Sequence, residues 1–324
     1  MRFIIYGTGA IGGTFAARLA LSGYPVIGIA RGPHLAAIRD TGLTLRTPID
    51  THTVALECVG DPGEIDFKPD DIIFLTMKTQ DTPAALARLR AVGVNEQAIV
   101  CAQNGVTNER FALRLFPNVY AMMMMMPASH MVPGEVDAFG APKQGILDIG
   151  RYPSGIDDTA TTIATTLSAS GFAAYADAEV MQNKYAKLLM NLSNIVRAIL
   201  GDGEGTRGGE LNRLVRAEGE AVLKAAGITI GDAGAKDPRR KSFMQDQDIA
   251  GVERVGSSSA QSLARNASSI ETDYLNGEIV LLGRLHGVAV PINAQLCRLA
   301  QELISGRVKR ENLSEAQILA DAGL

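Results

Sequence analysis

Apolar residues follow two different rhythms along this chain, and the rhythm changes once. In the first half they form short unbroken runs, at Phe3-Ile4-Ile5-Tyr6, Val26-Ile27-Gly28-Ile29-Ala30, Ile72-Ile73-Phe74-Leu75 and Ala98-Ile99-Val100-Cys101. A run that is apolar at every position suits a parallel strand buried on both faces. Helical stretches such as Thr14 to Ala20 lie between the runs, so Met1 to about Asp148 reads as a doubly wound α/β sheet. The Met122 to Met126 run reads as one more core strand, flexible in its side chains. After Tyr175 the β-branched runs fade and helical patterns take over, at Val180 to Leu200, Leu211 to Ala226, Ser257 to His286 and Ala294 to Ile304. The segments Gly201 to Gly209 and Gly231 to Lys241 read as connections between those helices. The pattern predicts two domains, 1–178 and an all-α 179–324.

The first strand runs directly into Gly7-Thr8-Gly9-Ala10-Ile11-Gly12-Gly13 and then into an alanine-rich helix. In a GxGxxG turn the first glycine permits the tight exit from the strand and the second lets a pyrophosphate approach the backbone. The third lets the helix pack close to the sheet. The helix N-terminus then receives the phosphate charge. A second strand follows at βαβ distance, so the first domain is expected to be Rossmann-type and to bind a dinucleotide through Gly7, Thr8, Gly9, Ala10, Ile11 and Gly12. An NAD site usually places an acidic residue at the end of the second strand. Here Ala30-Arg31-Gly32 stands there, and the Arg31 guanidinium suits a phosphate, which favours NADP. Open parallel sheets bind ligands beyond the carboxyl ends of their strands, which draws attention to Lys78 and to Asn104.

Composition narrows the partners. A net charge of -4 without long runs of one sign gives no footprint for nucleic acid and no polybasic membrane anchor. Cys58, Cys101 and Cys297 lie far apart with no CxxC, so neither a disulfide framework nor a metal site is expected. The strand at residue 2 leaves no room for a leader and no apolar run reaches bilayer length, so a cytoplasmic protein acting on a small molecule is expected.

In the helix predicted from Val180, Lys187, Asn191 and Asn194 fall at i, i+4 and i+7, one narrow polar stripe on an otherwise apolar cylinder. A stripe bordered by so wide an apolar arc is expected to face an interdomain cleft, although a water-facing stripe has the same spacing.

At these residues the sequence resembles the ketopantoate reductases (2-dehydropantoate 2-reductases), over essentially its whole length. The resemblance rests on GTGAIGGTFAARLALSGYPV (7–26), ARGPHLAAIRDTGLTL (30–45), MKTQD (77–81), QNGVTNE (103–109), KLLMN (187–191) and ETDYLNGEIVLLGRLHGVAVPIN (271–293), in that order and spacing. It implies NADPH-dependent reduction of a 2-oxo acid, ketopantoate to pantoate in pantothenate synthesis, with NADP held by domain 1–178 and substrate by domain 179–324. By the same resemblance Lys187 is the general acid, Asn104 contacts nicotinamide and substrate, and Lys78 lies near the cofactor. Glu271 and Asn191 then hold substrate. The family's second asparagine falls at Ile195 here, and Asn194 stands one position earlier as its stand-in. A substrate serine is expected at Ser259, or at Ser258 when the count runs from Gln261. Two alternatives stand beside this: a related NAD(P)-dependent dehydrogenase of another 2-oxo or hydroxy acid, and a non-catalytic NADP-binding sensor. The apolar helices of the second half suit a homodimer.

Overall fold

The computed structural model describes residues 1–201, 209–233, 237–253, 256, 261 and 270–323. The chain forms two compact units, Met1–Lys184 with Lys236–Arg254, and Tyr185–Ala235 with Val255–Leu324.

The first unit is built on strands β1 (Arg2–Tyr6), β2 (Val26–Ile29), β3 (Leu43–Arg46), β4 (Thr51–Val54), β5 (Glu57–Val59), β6 (Asp71–Leu75), β7 (Ala98–Cys101), β8 (Val119–Met125), β9 (Ala128–Ser129), β10 (Glu135–Ala138), β11 (Gly140–Pro142), β12 (Ile146–Arg151) and β13 (Ala173–Ala176). Eight of them make one sheet in the order β13-β12-β8-β7-β6-β1-β2-β5. Its helices are α1 (Ala10–Leu21), α2 (Gly32–Thr41), α3 (Thr82–Ala91), α4 (Asn108–Leu113) and α5 (Asp158–Ala169). The central strands β1, β6 and β7 are apolar along most of their length because each face of the sheet has its own core. Phe3, Ile5, Ile72 and Phe74 join one hydrophobic cluster with Phe15 of α1, and Ile4, Ile73 and Leu75 join another with Leu86 of α3 and Ala112 of α4. All seven residues of β8 are buried, which accounts for four of the five consecutive methionines.

The sheet departs from a purely parallel one at a single pairing, where β8 and β12 run antiparallel. No helical crossover separates these two strands, only the short strands β9, β10 and β11, and an antiparallel return needs none. A four-stranded sheet, β4-β3-β10-β9, lies against α1. There a Cβ on Gly13 would come within 2.6 Å of Val136 Cγ1.

The charged stretch expected to be a simple connection folds back onto the first unit. It carries a short helix (Arg239–Phe243) and a strand, β14 (Met244–Asp246), that pairs antiparallel with β11. Arg239 makes a two-pronged bond to the buried Asp148 carboxylate, at 2.5 and 2.9 Å, and also pairs with Asp237. Its guanidinium sits 5.3 Å from the Tyr175 ring centroid. The first unit thus takes in a stretch that a single boundary near residue 178 assigns to the second half.

The helices continue from α6 (Val180–Asn191) and α7 (Ser193–Leu200) to α8 (Glu210–Ala225), then, after α9 (Arg239–Phe243, the helix just described), to α10 (Thr272–His286), α11 (Pro291–Ile304) and α12 (Glu315–Asp321). The single helix expected from Val180 to Leu200 is interrupted at Leu192, whose backbone stays helical at φ -57° and ψ -29°. Side chains take carbonyls on either side of the step: Ser193 Oγ donates to Met190 O, and Asn276 Nδ2 donates to Leu192 O. The Glu218 carboxylate accepts from the backbone N–H groups of Ile292 and Asn293, both at 2.9 Å, and so caps α11. Of the predicted helix from Ser257, the portion Thr272–His286 is described and ends at a left-handed Gly287.

His34 on α2 ties the glycine turn to a distant loop. Its Nδ1 accepts from Gly134 N at 2.9 Å, which leaves Nε2 to donate to Thr8 O at 2.7 Å. The neutral imidazole makes both bonds, whereas the imidazolium has no acceptor for Gly134. Burial, and next the neighbouring His130 ring at 4.1 Å, hold the His34 pKa below its usual 6.5. The folded chain therefore takes up this proton less readily than the unfolded chain, and stability is full above pH 6.5 and declines as the pH falls below it. Thermal unfolding between about pH 7 and pH 5 checks this: His34→Gln is expected to flatten the acid limb of the midpoint curve, and parallel curves for variant and parent would contradict the assignment.

Candidate active site

Four parallel strands end in one row. Tyr6 is registered with Leu75 on one side and Ile29 on the other, and Leu75 with Cys101. The ladder continues one residue past the strands, with Gly7 N donating to Ile29 O, Thr76 N to Tyr6 O and Ala102 N to Leu75 O. The loops that begin with Gly7, Arg31, Met77 and Gln103 consequently leave the sheet along one edge. The chain winds from β1 to β2 on one side and to β6 on the other, so this edge contains the point where strand order reverses.

Two glycines of the turn have separate steric reasons, and a third leaves space. Gly7 has φ +104°, a conformation that side chains rarely adopt, and a Cβ there would lie 3.0 Å from Met77 N. A Cβ on Gly12 would fall 2.2 Å from Gly7 O and 2.4 Å from Thr76 Oγ1, so only glycine lets α1 sit this close to the sheet. Gly9 is the opposite case, with nothing within 4 Å of its Cβ position. It is also the N-cap of α1, where no side chain caps the helix and no acidic residue occupies the first turn. The orphan N–H groups of that turn are thus available to an anion, and the open side of Gly9 leaves room for one. A pyrophosphate fits this turn.

Arg31, the residue before α2, has a side chain 81% exposed, 3.8 Å from Asp81 across the loop after β6. Among the first strand-end residues of β2 there is no carboxylate to meet a ribose diol, and a cation stands in its place. Lys78 is half-buried and precedes a 3₁₀ turn (Thr79–Asp81). Asn104 is half-buried, its carbonyl accepting from Asn108 Nδ2 at 3.3 Å. Gln103 joins these two loops, its Nε2 donating to Met77 O at 2.8 Å and to Thr82 Oγ1 at 2.7 Å.

The substrate candidates belong to the second unit. Lys187 is half-buried on α6, and Asn191 follows one turn later at 6% exposure. The Asn191 Nδ2 is buried without a hydrogen-bond partner, an uncommon state for an amide and an open donor for a ligand oxygen. Asn194 is half-buried on α7, so the stripe is carried by two helices and not one. Glu271 is 8% exposed at the N-cap of α10. Ser258 and Ser259 lie outside the described residues. Among the described residues no group of three or more His, Cys, Asp or Glu is arranged to hold a metal, and no helix is long and apolar enough to cross a membrane.

One cluster escaped the reading of the sequence. Lys184, three residues before Lys187, is 2% exposed and pairs with the fully buried Glu109. The only sequence signal was its type, a second lysine on an apolar helix.

The chain matches the family model "Ketopantoate reductase PanE/ApbA" over residues 3–154 and "Ketopantoate reductase PanE/ApbA C terminal" over residues 179–303. It is 28% identical over 312 residues to a 2-dehydropantoate 2-reductase of Archaeoglobus fulgidus, covering 94% of this chain and 98% of that one. It is 27% identical over 320 residues to the enzyme of that name from Lactococcus lactis, covering 95% and 100%. Among solved structures, a PanE/ApbA family ketopantoate reductase from Ralstonia eutropha superposes with a TM-score of 0.77 at 28% identity, covering 95% of this chain and 99% of that one. D-mandelate dehydrogenase, solved with NADH and anilino(oxo)acetate, shares the fold at 23% identity and a TM-score of 0.76, covering 95% and 98%. With the glycine turn, the aligned strand ends and both halves of the chain matched, this protein belongs to the ketopantoate reductase PanE/ApbA family of oxidoreductases.

Proposed function

We propose that the protein reduces a 2-oxo acid with NADPH, ketopantoate to pantoate being the first reaction to assign, and that Lys187 is the general acid. The observation that carries this reading is the row of strand ends, which offers a glycine turn and a free helix N-terminus for a pyrophosphate. In the same row are a cation for a 2′-phosphate and Asn104 for the reacting end of the cofactor. Bound NADPH supplies a hydride to the carbonyl carbon of the substrate. The oxygen of that carbonyl gains negative charge as the hydride arrives, and the Lys187 ammonium stabilises it and then donates the proton that completes the hydroxyl. Lysine suits the task because its ammonium is a compact charge with three donors on a flexible stem, and Lys187 is only half-buried, so water can return the proton after turnover. Asn191 offers its unpartnered Nδ2 to a substrate oxygen, and Glu271 accepts from a substrate hydroxyl.

A second reading, a dehydrogenase of a different 2-oxo or hydroxy acid, is favoured by one observation. The position eight residues after Lys187 is Ile195, 1% exposed and committed to the core. Asn194 therefore has to present its amide from a different direction, and the pocket differs in shape accordingly. A panel of branched 2-oxo acids separates the readings through the ratio of their kcat/KM values.

Replacing Lys187 with alanine is expected to lower kcat by about 10²- to 10⁴-fold while NADPH affinity, measured by titration, stays unchanged. Full turnover in that variant would remove Lys187 from the chemistry, and a wild type that oxidises NADPH with no 2-oxo acid would leave a nucleotide-binding sensor. Arg31→Ala is expected to raise the KM for NADPH by about ten-fold and leave that for NADH where it was. An equal change for both cofactors would contradict its pairing with the 2′-phosphate.

A further inference from the structure

The ion pair beneath the loop that follows β7 has no part in the chemistry above, and it is the most deeply buried charged pair among the described ones. Lys184 Nζ donates to Glu109 Oε1 at 2.5 Å, to Gln103 O at 3.0 Å and to Cys101 O at 3.5 Å. Three acceptors use the three protons of an ammonium. Two of them are main-chain carbonyls of the segment that leads into Asn104, so the lysine grips the backbone and not merely a counter-ion. Glu109, at the start of α4, holds the ammonium in that place.

The grip extends sideways. Asn108, fully buried, donates to Asn104 O at 3.3 Å and to Thr79 Oγ1 at 3.1 Å. Thr82 Oγ1 donates to Asn108 Oδ1 and receives the Gln103 amide. Gln103 reaches the carbonyl of Met77, immediately before Lys78. Both strand-end loops are therefore fastened to one buried polar layer, with the Lys184 to Glu109 pair at its base.

A buried pair of this kind is poor value as a stabiliser, since well-packed neutral residues of similar volume often do as well. Its cost is explained if it holds a geometry. We propose that Lys184 and Glu109 are positioning residues for the oxidoreductase reaction, setting the backbone of Gln103 and Asn104 so that the Asn104 side chain meets nicotinamide and substrate at the right height above the sheet. This rests on the role given to Asn104 under the proposed function. Without the pair, the loop keeps its sequence and loses its fixed path.

The test replaces both charges, with the double variant Lys184→Met and Glu109→Gln, because a single change would strand the other charge in the core. Hydrogen–deuterium exchange of the peptide spanning residues 102–110 is expected to accelerate by about ten-fold while β1 and β6 keep their protection. With the substrate that the wild type turns over best, kcat is expected to fall by about 10- to 100-fold while NADPH affinity changes by no more than about two-fold, because the glycine turn that would hold the pyrophosphate is untouched. Unchanged exchange in 102–110, or a lowered melting temperature with kcat intact, would overturn the proposal and leave an ordinary buried ion pair. Should the double variant not fold, Asn108→Ala removes the neighbouring hold on Asn104 O and is expected to give the same split between kcat and NADPH affinity. Equal activity there would overturn it too. Failure of the functional reading looks different: the wild type itself would turn over no 2-oxo acid, while the exchange measurement would still report whether the pair holds the loop.

Discussion

Everything attributed to the edge where the strands end depends on hydrogen bonds that keep four parallel strands in step up to their last residue. Tyr6, Leu75, Cys101 and Ile29 share one row, and the next ladder bonds already belong to the loops. A slip of one residue in β6 would turn its alternating side chains from one core to the other, so the register is fixed by both hydrophobic clusters at once. At the opposite end of the same strands Arg2 makes a two-pronged bond to the buried Asp71, which pins β1 against β6. Close packing at Gly12 then sets the height of α1 on the sheet, and with it the direction in which its free N–H groups point.

Polar groups do the remaining fastening where apolar packing cannot. The loops after β6 and β7 carry the candidate residues Lys78 and Asn104 and are held from below through Gln103, Asn108, Thr82 and Lys184. The stretch 237–253 is fastened to the first unit by the same means, through Arg239 on Asp148 and the short pairing of β14 with β11. In the second unit Asn276 links Leu192 O to Asn293, which in turn bonds Glu218, so the step between α6 and α7 is part of a connected network and not a fray.

The sequence was most legible where a local rule had one outcome. Apolar runs gave β1, β2, β6 and β7, and α8 runs from Glu210 to Ala225 against an expected Leu211 to Ala226. The glycine turn was readable because Gly7 and Gly12 each answer a local steric demand, while Gly9 leaves its side open. Features made by distant partners were not readable. Lys184 and Glu109 meet across 75 residues, and Asn276 reaches Leu192 across 84. Strands of two or three residues, such as β9 and β14, carry too short a pattern to stand out from loop sequence. The reversal between β8 and β12 was equally hidden, since β12 is buried at its first five residues much as the parallel strand β6 is buried along its length.

The central claim is that a hydride passes from a nicotinamide held on this edge to the carbonyl carbon of a 2-oxo acid. Turnover of ketopantoate with NADPH deuterated at both C4 positions, followed by mass spectrometry and NMR of the product, tests it most directly. The account predicts pantoate with deuterium on the carbon that bears the new hydroxyl. A product without deuterium at that carbon, or no product from any 2-oxo acid, would contradict it.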